Sequence, residues 1–337
     1  MQLRSRAPLR VSFAGGGTDV APYPELEGGL VLSATIDRYA FASLSPRQDG
    51  QFSVESADFG LATGFEPRDA KQLDGRLDLV RAVVQRLSRE DARGYDLFLR
   101  TNAPPGSGLG SSSAAVVALV GLLNRHYQIA ADNYETAATA YEVERVDFGI
   151  PGGSQDHYAA TFGGFNFIEF YGDRVLVNPL RIEPDVVAEL EHNMLLAYTG
   201  VTRASGQIID DQTQRLASGE VDTVEAMRAQ KALASAMKAS LLRGNLGEFA
   251  ALLDDAWQTK KRLSPKITTA HIDEIYAAAR EAGALGGKVT GAGGGGYLLL
   301  YCDYRKRHRV ADRLGELGVE AREVAFTNDG LRTWSAE

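Results

Sequence analysis

Apolar and polar residues alternate along the first part of the chain. Leu9, Val11 and Phe13 are spaced two apart, and the alternation resumes over residues 30–44 through Ile36 and Phe41. Because successive side chains of a strand point to opposite faces, this spacing predicts two β-strands, each with a buried face. The chain is therefore expected to open on a sheet.

The pattern changes several times between residues 77 and 182. The predicted elements are a helix over residues 77–87, a strand over 95–100, a buried helix over 112–127, a helix over 133–147, a Gly/Pro break at 149–153, and strand over 163–177 with a turn at Gly172-Asp173. Helices and strands are thus mixed in this half of the chain.

Alanine- and leucine-rich stretches with a 3.6-residue spacing dominate the chain after Pro184. They predict helices over residues 208–216, 221–242, 246–261 and 272–282. A glycine-rich loop, a strand over residues 297–301, a helix near 304–317 and a last strand through Val324 complete the pattern. The change in composition and the length of the chain predict two lobes, residues 1–182 and 183–337.

Charge and cysteine content limit the classes of function. The chain carries a formal net charge of −8 and has a sequence pI near 5.3, so no overall positive field draws it onto nucleic acid or an anionic membrane. The single cysteine, Cys302, excludes an intramolecular disulfide. The longest strongly apolar segment, residues 114–123, is about half a membrane span, and no export signal is predicted. We therefore expect a cytoplasmic protein.

The most informative pattern is Pro-Pro-Gly-Ser-Gly-Leu-Gly-Ser-Ser-Ser-Ala over residues 104–114, between a predicted strand and a predicted helix. Its glycines let the backbone approach a ligand closely, and its serines begin the helix with unpaired N–H groups. Such a helix N-terminus suits phosphate; the alternative is an ordinary glycine turn with a serine cap. No Gly-Lys-Ser/Thr follows, which argues against a Walker P-loop, and the pattern is not a Rossmann fingerprint.

Two further glycine-rich segments accompany this loop. One is Arg-Ala-Pro-Leu-Arg-Val-Ser-Phe-Ala-Gly-Gly-Gly-Thr-Asp over residues 6–19, and the other is Lys-Val-Thr-Gly-Ala-Gly-Gly-Gly-Gly-Tyr over residues 288–297. Together the three segments resemble the three motifs of the GHMP kinases, in the same order and across nearly the whole chain. The resemblance implies an α+β fold of two lobes, the first like domain 2 of ribosomal protein S5 and the second ferredoxin-like with extra helices. It also implies an active site between the lobes.

The same resemblance implies that ATP and Mg²⁺ are the cofactors. The residues that match the family's ATP-binding motif are Pro105, Gly106, Ser107, Gly108, Leu109, Gly110, Ser111, Ser112 and Ser113. Ser112 and Glu144 match the family's metal ligands. Glu142 competes with Glu144 for this role, because the sequence does not fix the phase of the helix.

Two residues match the family's catalytic positions. Arg10 is expected near the transferring phosphoryl group, where it would stabilise developing charge. Asp156, in Ile-Pro-Gly-Gly-Ser-Gln-Asp, is expected to orient or deprotonate the acceptor hydroxyl. The alternatives are an exposed strand arginine and a helix-capping aspartate in a turn.

A third set of residues matches the sugar-binding side of the family. Its members are Gly16, Gly17, Thr18, Asp19, Gly153, Arg203, Lys288, Gly291, Gly293 and Gly294. Arg203 and Lys288 are predicted to bind a phosphate of the acceptor, with a solvated side chain as the alternative for each. Gly16-Gly17 replaces the Glu-His that precedes Thr-Asp in galactokinase-like members, which argues against galactose.

Within the family, the residues at the motif positions most resemble those of the bacterial kinases of D-glycero-D-manno-heptose 7-phosphate, which phosphorylate the anomeric oxygen. Ser154 and His157 depart from the lysine and glutamine that are usual there. The expected partner is a small sugar phosphate, neither nucleic acid nor membrane, and the oligomeric state stays open. The alternatives are a kinase of another sugar, such as fucose, and a non-catalytic protein of this fold that senses ATP and sugar.

Overall fold

The computed structural model of the protein describes residues 1–65, 77–88, 94–202 and 205–336. In the first half of the chain the elements are β1 (Gln2–Ala14), α1 (Tyr23–Glu27), β2 (Gly29–Pro46), β3 (Phe52–Ser56), β4 (Leu61–Phe65), α2 (Asp78–Leu87), β5 (Tyr95–Thr101), α3 (Ser111–His126), α4 (Asn133–Tyr141), a π-helical segment (Glu142–Asp147), α5 (Gln155–Phe162), β6 (Phe165–Tyr171) and β7 (Arg174–Pro179). In the second half they are α6 (Pro184–Asn193), β8 (Met194–Tyr198), α7 (Gly206–Ala217), α8 (Val221–Leu242), α9 (Leu246–Lys261), α10 (Ala270–Ala282), β9 (Ala284–Val289), β10 (Tyr297–Cys302), α11 (Arg307–Glu316), β11 (Ala321–Glu323) and β12 (Arg332–Ala336).

The first sheet has the strand order β12-β1-β2-β5-β3-β4, and β6 links the beginning of β2 to β7. The two strands predicted from alternation, β1 and β2, are confirmed as its antiparallel centre, with Leu3 opposite Leu44 and Ala14 opposite Leu32. Only the β3–β5 pair is parallel among the described strand pairs of this sheet. The side chains of Leu9, Val11 and Phe13, which point inward from β1, are completely buried.

Helix α3 covers this sheet and is buried on nearly all sides. It packs against β1 and β2, and its apolar run confirms a core helix rather than part of a membrane span. In the described part of the chain, no helix is both long and apolar enough to cross a membrane. Because α3 begins where the serine-rich loop ends, its position on the sheet fixes the position of that loop.

The second sheet has the order β11-β8-β10-β9, and all its pairs are antiparallel. Helices α9, α10 and α11 pack against it around a core that contains Trp257, Ile275 and Leu298. Side-chain caps define where two of these helices begin: the Asn245 side chain accepts from the backbone of α9, and the Thr269 side chain from that of α10. The predicted helices over 208–216, 221–242, 246–261 and 272–282 are confirmed as α7 to α10.

The two lobes share one hydrophobic cluster. Phe249 and Leu253 of α9 belong to the same buried cluster as Phe13 of β1, and the Phe13 and Phe249 rings meet edge to face at 5.2 Å. The division into residues 1–182 and 183–337 stays a prediction, but the fold departs from it at the end of the chain. There β12 pairs with β1, so the C-terminal strand belongs to the first sheet.

Candidate active site

A cleft of about 470 Å³ lies where the three glycine-rich segments meet, between the first sheet and the helices of the second lobe. Most of the predicted site residues line it: Arg10, Gly16, Gly17, Asp19, Pro105, Gly106, Gly108, Gly110, Ser111, Ser112, Ser113, Glu144, Gly153, Asp156, Gly291 and Gly293. Folding thus gathers residues from both ends of the sequence around one space.

The serine-rich loop enters α3 through Gly110, whose φ of 72° lies in the left-handed region that glycine adopts without strain. Helix α3 then begins at Ser111 with its N-terminus at the cleft. A Cβ on Gly108 would lie 2.5 Å from the carbonyl oxygen of Thr290, so glycine at position 108 lets this loop pack against the third glycine segment. Because the first N–H groups of a helix have no partner within it, the loop offers donors to an anion.

Glu144 is a buried carboxylate at the wall of the cleft. Its Oε1 accepts a hydrogen bond from Ser112 at 2.7 Å, and its Oε2 accepts one from Ser113 at 2.6 Å and lies 2.7 Å from Nε2 of His157. Burial by itself raises the pKa of Glu144, but the hydrogen bonds from His157 and Ser113 and the charge of Arg145 outweigh it and lower this pKa to about 2. The carboxylate is therefore charged at neutral pH.

Glu142, the competing candidate, points away from the cleft. Its side chain is 47% exposed and forms an ion pair with Arg86, which also donates to Asp147 at 2.9 Å. The π-helical segment that carries both glutamates turns Glu144 inward and Glu142 outward. Of the two, Glu144 is the one that approaches Ser112.

Arg10 and Asp156 form a close ion pair at the floor of the cleft. Nε and an Nη of Arg10 lie 2.7 Å and 2.6 Å from Oδ1 of Asp156, and the other Nη donates to the Gly108 carbonyl oxygen at 2.7 Å. Arg10 is 3% exposed, so the alternative of an exposed strand arginine is wrong. Asp156 lies in the first turn of α5, with Ser154 at the N-cap, so it is not the capping residue.

Asp19 is held beside this pair by backbone and amide groups. Its Oδ1 accepts from the Gly17 N–H at 3.1 Å and from Nε2 of Gln155 at 2.9 Å, and its Oδ2 accepts from the Gln155 N–H at 3.2 Å. Burial, and next the charge of Asp156, raise the pKa of Asp19. Both carboxylates face the same part of the cleft.

Several predicted residues do not line the cleft: Thr18, Ser107, Leu109, Lys288 and Gly294. Thr18 instead connects the glycine-rich segment of residues 6–19 to β2, because its hydroxyl donates to the Gly15 carbonyl and accepts from the Leu30 N–H. The remaining predicted residue, Arg203, lies outside the residues that the structure describes.

The prediction that Lys288 binds a phosphate of the acceptor is wrong. It is completely buried in β9, and its Nζ donates to the Ser12 carbonyl oxygen at 2.9 Å. Burial, followed by the charges of Lys260 and Arg10, lowers the pKa of Lys288 well below its usual value. A lysine in this position supports the backbone under the cleft and does not reach an acceptor phosphate.

Sequence reasoning missed several polar residues that line the cleft: Arg145, Gln155, Gln212 and Lys260. Gln155 adjoins Asp156 in the segment Ile-Pro-Gly-Gly-Ser-Gln-Asp, and this adjacency is a signal that could have found it. Lys260 precedes Lys261 and Arg262 at the end of α9, where a run of cations is typical of a solvated helix end. No local signal indicated that Lys260 turns inward.

Comparison with known proteins gives the family. The family described as GHMP kinases N terminal domain matches residues 78–164, and the one described as GHMP kinases C terminal matches residues 237–320. A D-glycero-alpha-D-manno-heptose 7-phosphate kinase from Campylobacter jejuni is 37% identical over 336 residues, which cover 98% of each chain. The chain belongs to the GHMP kinases. The predicted enzyme class, an ATP-dependent sugar kinase, is thereby confirmed.

Solved structures support the same assignment of this GHMP kinase. A crystal structure described as a D-glycero-D-manno-heptose 1-phosphate kinase from Bacteroides thetaiotaomicron superimposes with a TM-score of 0.84 at 34% identity, over 99% of both chains. The predicted two-lobed α+β fold is confirmed. A bifunctional fucokinase/GDP-fucose pyrophosphorylase from Arabidopsis thaliana is 27% identical, and its match spans 31% of that longer chain. The alternatives of a fucose kinase and of a non-catalytic sensor are therefore not favoured.

A second cavity of the kinase, of about 440 Å³, adjoins the serine-rich loop. It shares Pro105, Ser111, Ser112 and Ile150 with the cleft. Its other walls are mainly apolar and include Leu79, Val83, Leu119 and Phe148. Predominantly apolar walls with a few polar groups are typical of sites for flat organic ligands. The two cavities meet at the N-terminus of α3.

Proposed function

We propose that this kinase transfers the γ-phosphate of ATP to the anomeric hydroxyl of D-glycero-D-manno-heptose 7-phosphate and forms the 1,7-bisphosphate. The observation that carries the proposal is the Arg10–Asp156 ion pair, which lies against Gly108 of the serine-rich loop, the phosphate loop of this proposal. The chain is also similar over its full length to a heptose 7-phosphate kinase. The pair joins a cation for the phosphoryl group to a carboxylate for the acceptor.

The donor fits the two adjoining cavities. The phosphates of ATP would lie on the loop that precedes α3, where backbone N–H groups and the helix dipole favour negative charge. The adenine would occupy the apolar cavity between α2 and α3, whose walls suit a flat ring. Pro105 and Ser112, which line both cavities, would lie where the sugar and phosphates pass from one to the other.

Mg²⁺ would be held by Ser112 and Glu144. Their oxygen atoms lie 2.7 Å apart at the wall of the cleft, and hard oxygen ligands are those that Mg²⁺ prefers. Few protein ligands suffice, because nucleotide phosphates and water usually complete the shell of this ion. When bound, the ion would neutralise negative charge on the nucleotide phosphates.

Asp156 is the proposed general base. In the reaction, the acceptor oxygen forms a bond to the γ-phosphorus, the bond from that phosphorus to the bridging oxygen of ATP breaks, and ADP leaves. The proton of the acceptor hydroxyl passes to Asp156. Arg10, bonded to both Asp156 and the phosphate loop, would hold the carboxylate in place and stabilise charge on the phosphoryl group. Asp19 would accept hydrogen bonds from hydroxyls of the sugar, and Gln155 would donate to them.

From the sequence, the acceptor phosphate is assigned to Arg203 and Thr202; the described residues that follow, Ser205 and Gly206, line the cleft. An arginine grips phosphate through two parallel charge-assisted hydrogen bonds. We also place the protein in the cytoplasm. Its donor is ATP, and its one cysteine, Cys302, is a buried free thiol that needs no oxidising compartment.

The decisive experiment incubates the enzyme and Mg-ATP with heptose 7-phosphate, heptose 1-phosphate or the unphosphorylated heptose and follows the products by ³¹P NMR. We expect an anomeric phosphate signal from the 7-phosphate and a much smaller kcat/KM for the unphosphorylated sugar. Equal kcat/KM for these two sugars would contradict a phosphorylated acceptor. Turnover of the 1-phosphate alone would instead reverse the assigned position of the acceptor oxygen.

A further inference from the structure

Lys260 is a buried cation at the edge of the cleft to which the proposed reaction gives no role. It lies in the last turn of α9, is 4% exposed, and lines the cleft. Its Nζ donates a hydrogen bond to the carbonyl oxygen of Gly291, in the third glycine segment. Lys260 of the second lobe therefore places its ammonium group in the cleft, together with the hydrogen-bond donors of the first lobe.

Ion pairs account for two of the three cations among the described residues that line the cleft. Arg10 is paired with Asp156, and Arg145 lies 3.4 Å from Glu144. Among the lining residues that the structure describes, Lys260 is the cation without a carboxylate at ion-pair distance. A buried ammonium whose hydrogen bond goes to a neutral carbonyl is poorly compensated for the loss of water. Asp19, the lining carboxylate that forms no ion pair, is already held by Gln155 and the Gly17 N–H, so a bound anion would supply the charged partner that Lys260 lacks.

The backbone around Lys260 indicates which anion this is. A Cβ on Gly291 would lie 2.6 Å from the Cα of Gly108, so the carbonyl that holds Lys260 rests directly on the phosphate loop. The Gly108 carbonyl oxygen in turn accepts from Arg10. Lys260 from the second lobe and Arg10 from the first thus approach the same turn of the loop from two sides, next to Asp156.

We infer that Lys260 is a second cation of the phosphoryl-transfer centre, which contacts the γ-phosphate of ATP and acts in its protonated form. The inference rests on the proposed function only in taking ATP as the donor, and it holds for any acceptor. Before the nucleotide binds, Arg10 is paired with the charged Asp156, whereas the hydrogen bond of Lys260 goes to a neutral carbonyl. Lys260 can therefore exchange its partner for a phosphate at a smaller cost.

The surroundings of Lys260 make this contribution depend on pH. The ionisable groups that face it are Arg10 on β1, Lys288 on β9, Asp19 after β1 and Asp156 on α5. Burial, and next the charge of Arg10, lower the pKa of Lys260 to about 8, against the opposing effect of the two aspartates. The free enzyme loses the ammonium as the pH rises through this value. A bound γ-phosphate raises the pKa again, so binding at higher pH takes up a proton.

The kinetic test compares Lys260→Met, Lys260→Arg and the control Lys261→Met. Lys261 is adjacent on α9 and outside the cleft lining, with its Nζ 3.9 Å from Asp273. With whichever sugar the wild type phosphorylates, we expect kcat/KM to fall above about pH 8 and the control to follow the same curve. Lys260→Met should lose about 100-fold in kcat, as for removal of a donor to a charged transition state. Lys260→Arg should keep part of the rate and lose the alkaline fall, since arginine stays protonated.

A binding test needs no acceptor. Calorimetry at pH 8.5, in two buffers of different ionisation enthalpy, measures protons taken up when the β,γ-imido analogue of ATP binds with Mg²⁺. We expect proton uptake in the wild type, none with ADP, which lacks the γ-phosphate, and none in Lys260→Arg. An unchanged alkaline fall in Lys260→Arg, or equal uptake with ADP and the analogue, overturns the inference. Failure of every heptose phosphate as acceptor contradicts the proposed substrate but leaves this test intact.

Discussion

At the scale of single residues, two aspartates in one cleft are prepared for different tasks. Asp156 shares one oxygen with the guanidinium of Arg10, and its side chain is still 16% exposed, so its second oxygen remains available to a ligand. Asp19 is bound through both oxygens by Gln155 and by the Gly17 N–H. The first arrangement suits proton transfer to a group that is held in place, and the second suits an acceptor of fixed hydrogen bonds.

Asp156→Asn removes the proton acceptor and keeps the shape of the side chain. The amide oxygen still accepts from Arg10, so the phosphate loop should stay in position. We expect kcat to fall on the order of 100-fold or more, as for loss of a general base, with the dissociation constant of ATP nearly unchanged. Steady-state kinetics and nucleotide titration measure the two quantities. A kcat close to that of the wild type would remove Asp156 from the catalytic role.

Glu144→Gln and Ser112→Ala each remove an oxygen ligand proposed for Mg²⁺. The metal concentration that gives half-maximal rate should rise about 10- to 100-fold in each variant, because both residues belong to one small ligand set. Glu142→Gln is the matched control, since Glu142 is on the same helical segment and pairs with Arg86 at the surface. If the control changes the metal requirement as much as Glu144→Gln does, the assignment is wrong.

The sequence indicated those residues that belong to contiguous motifs and misjudged those whose role depends on distant parts of the chain. Arg10, Asp19, Glu144 and Asp156 were placed correctly at the cleft. Lys288 follows a glycine pair at the edge of a motif, yet packing against the first lobe buries it, with its Nζ bonded to the Ser12 carbonyl oxygen. Whether a lysine is solvated or buried is set by tertiary packing, which no local pattern encodes.

At the scale of elements, the long helices were predicted well because their signal is local. Helices α8 and α9 begin and end at the predicted residues, since their 3.6-residue spacing persists over several turns and ends at clear boundaries. Helix α5 was missed, because eight residues after a Gly-Gly-Ser segment carry little periodicity. Strand β12 was missed because its polar sequence forms a strand only by pairing with β1.

The serine-rich loop packs against the glycine-rich segment of residues 288–297 at Gly108. A methyl group added at this position is therefore expected to lower the stability of the protein. Gly108→Ala combines a left-handed φ of 80° with a Cβ 2.5 Å from the Thr290 carbonyl oxygen. We expect a loss of about 2–5 kcal/mol in the free energy of unfolding, from the sum of backbone strain and overpacking, and a raised KM for ATP.

Gly219→Ala is the control for this variant. Gly219 has a φ of 70° between α7 and α8, with no atom within 4 Å of a built Cβ. Backbone strain alone should cost about 1–2 kcal/mol there, with unchanged kinetics. Urea unfolding and steady-state assays of both variants make the comparison. Equal losses of stability in the two would mean that contact between the glycine segments contributes nothing.

At the scale of the whole molecule, the cleft depends on a core that the lobes do not divide. Helices α8 and α9 of the second half pack on β1 and β2, and the segment before β12 runs back along the first lobe. There the Thr327 N–H donates to the Thr35 carbonyl, and the Leu331 N–H to the Thr161 carbonyl. An active site at such a junction is held by the same contacts that hold the lobes together.

This shared core predicts that the two lobes unfold together, although chains of this length often unfold in stages. The chain contains two tryptophans, and each reports on a different part: Trp257 lies in the core of the second lobe, and Trp334 lies on β12 in the first sheet. Trp334→Phe and Trp257→Phe leave one fluorescent probe each. In both variants the urea midpoint from fluorescence should coincide with the midpoint from far-ultraviolet circular dichroism, which follows both lobes. A Trp334 transition that clearly precedes the dichroism change would mean that β12 and its sheet form a separate folding unit, and that the lobes are joined by contact rather than by one core.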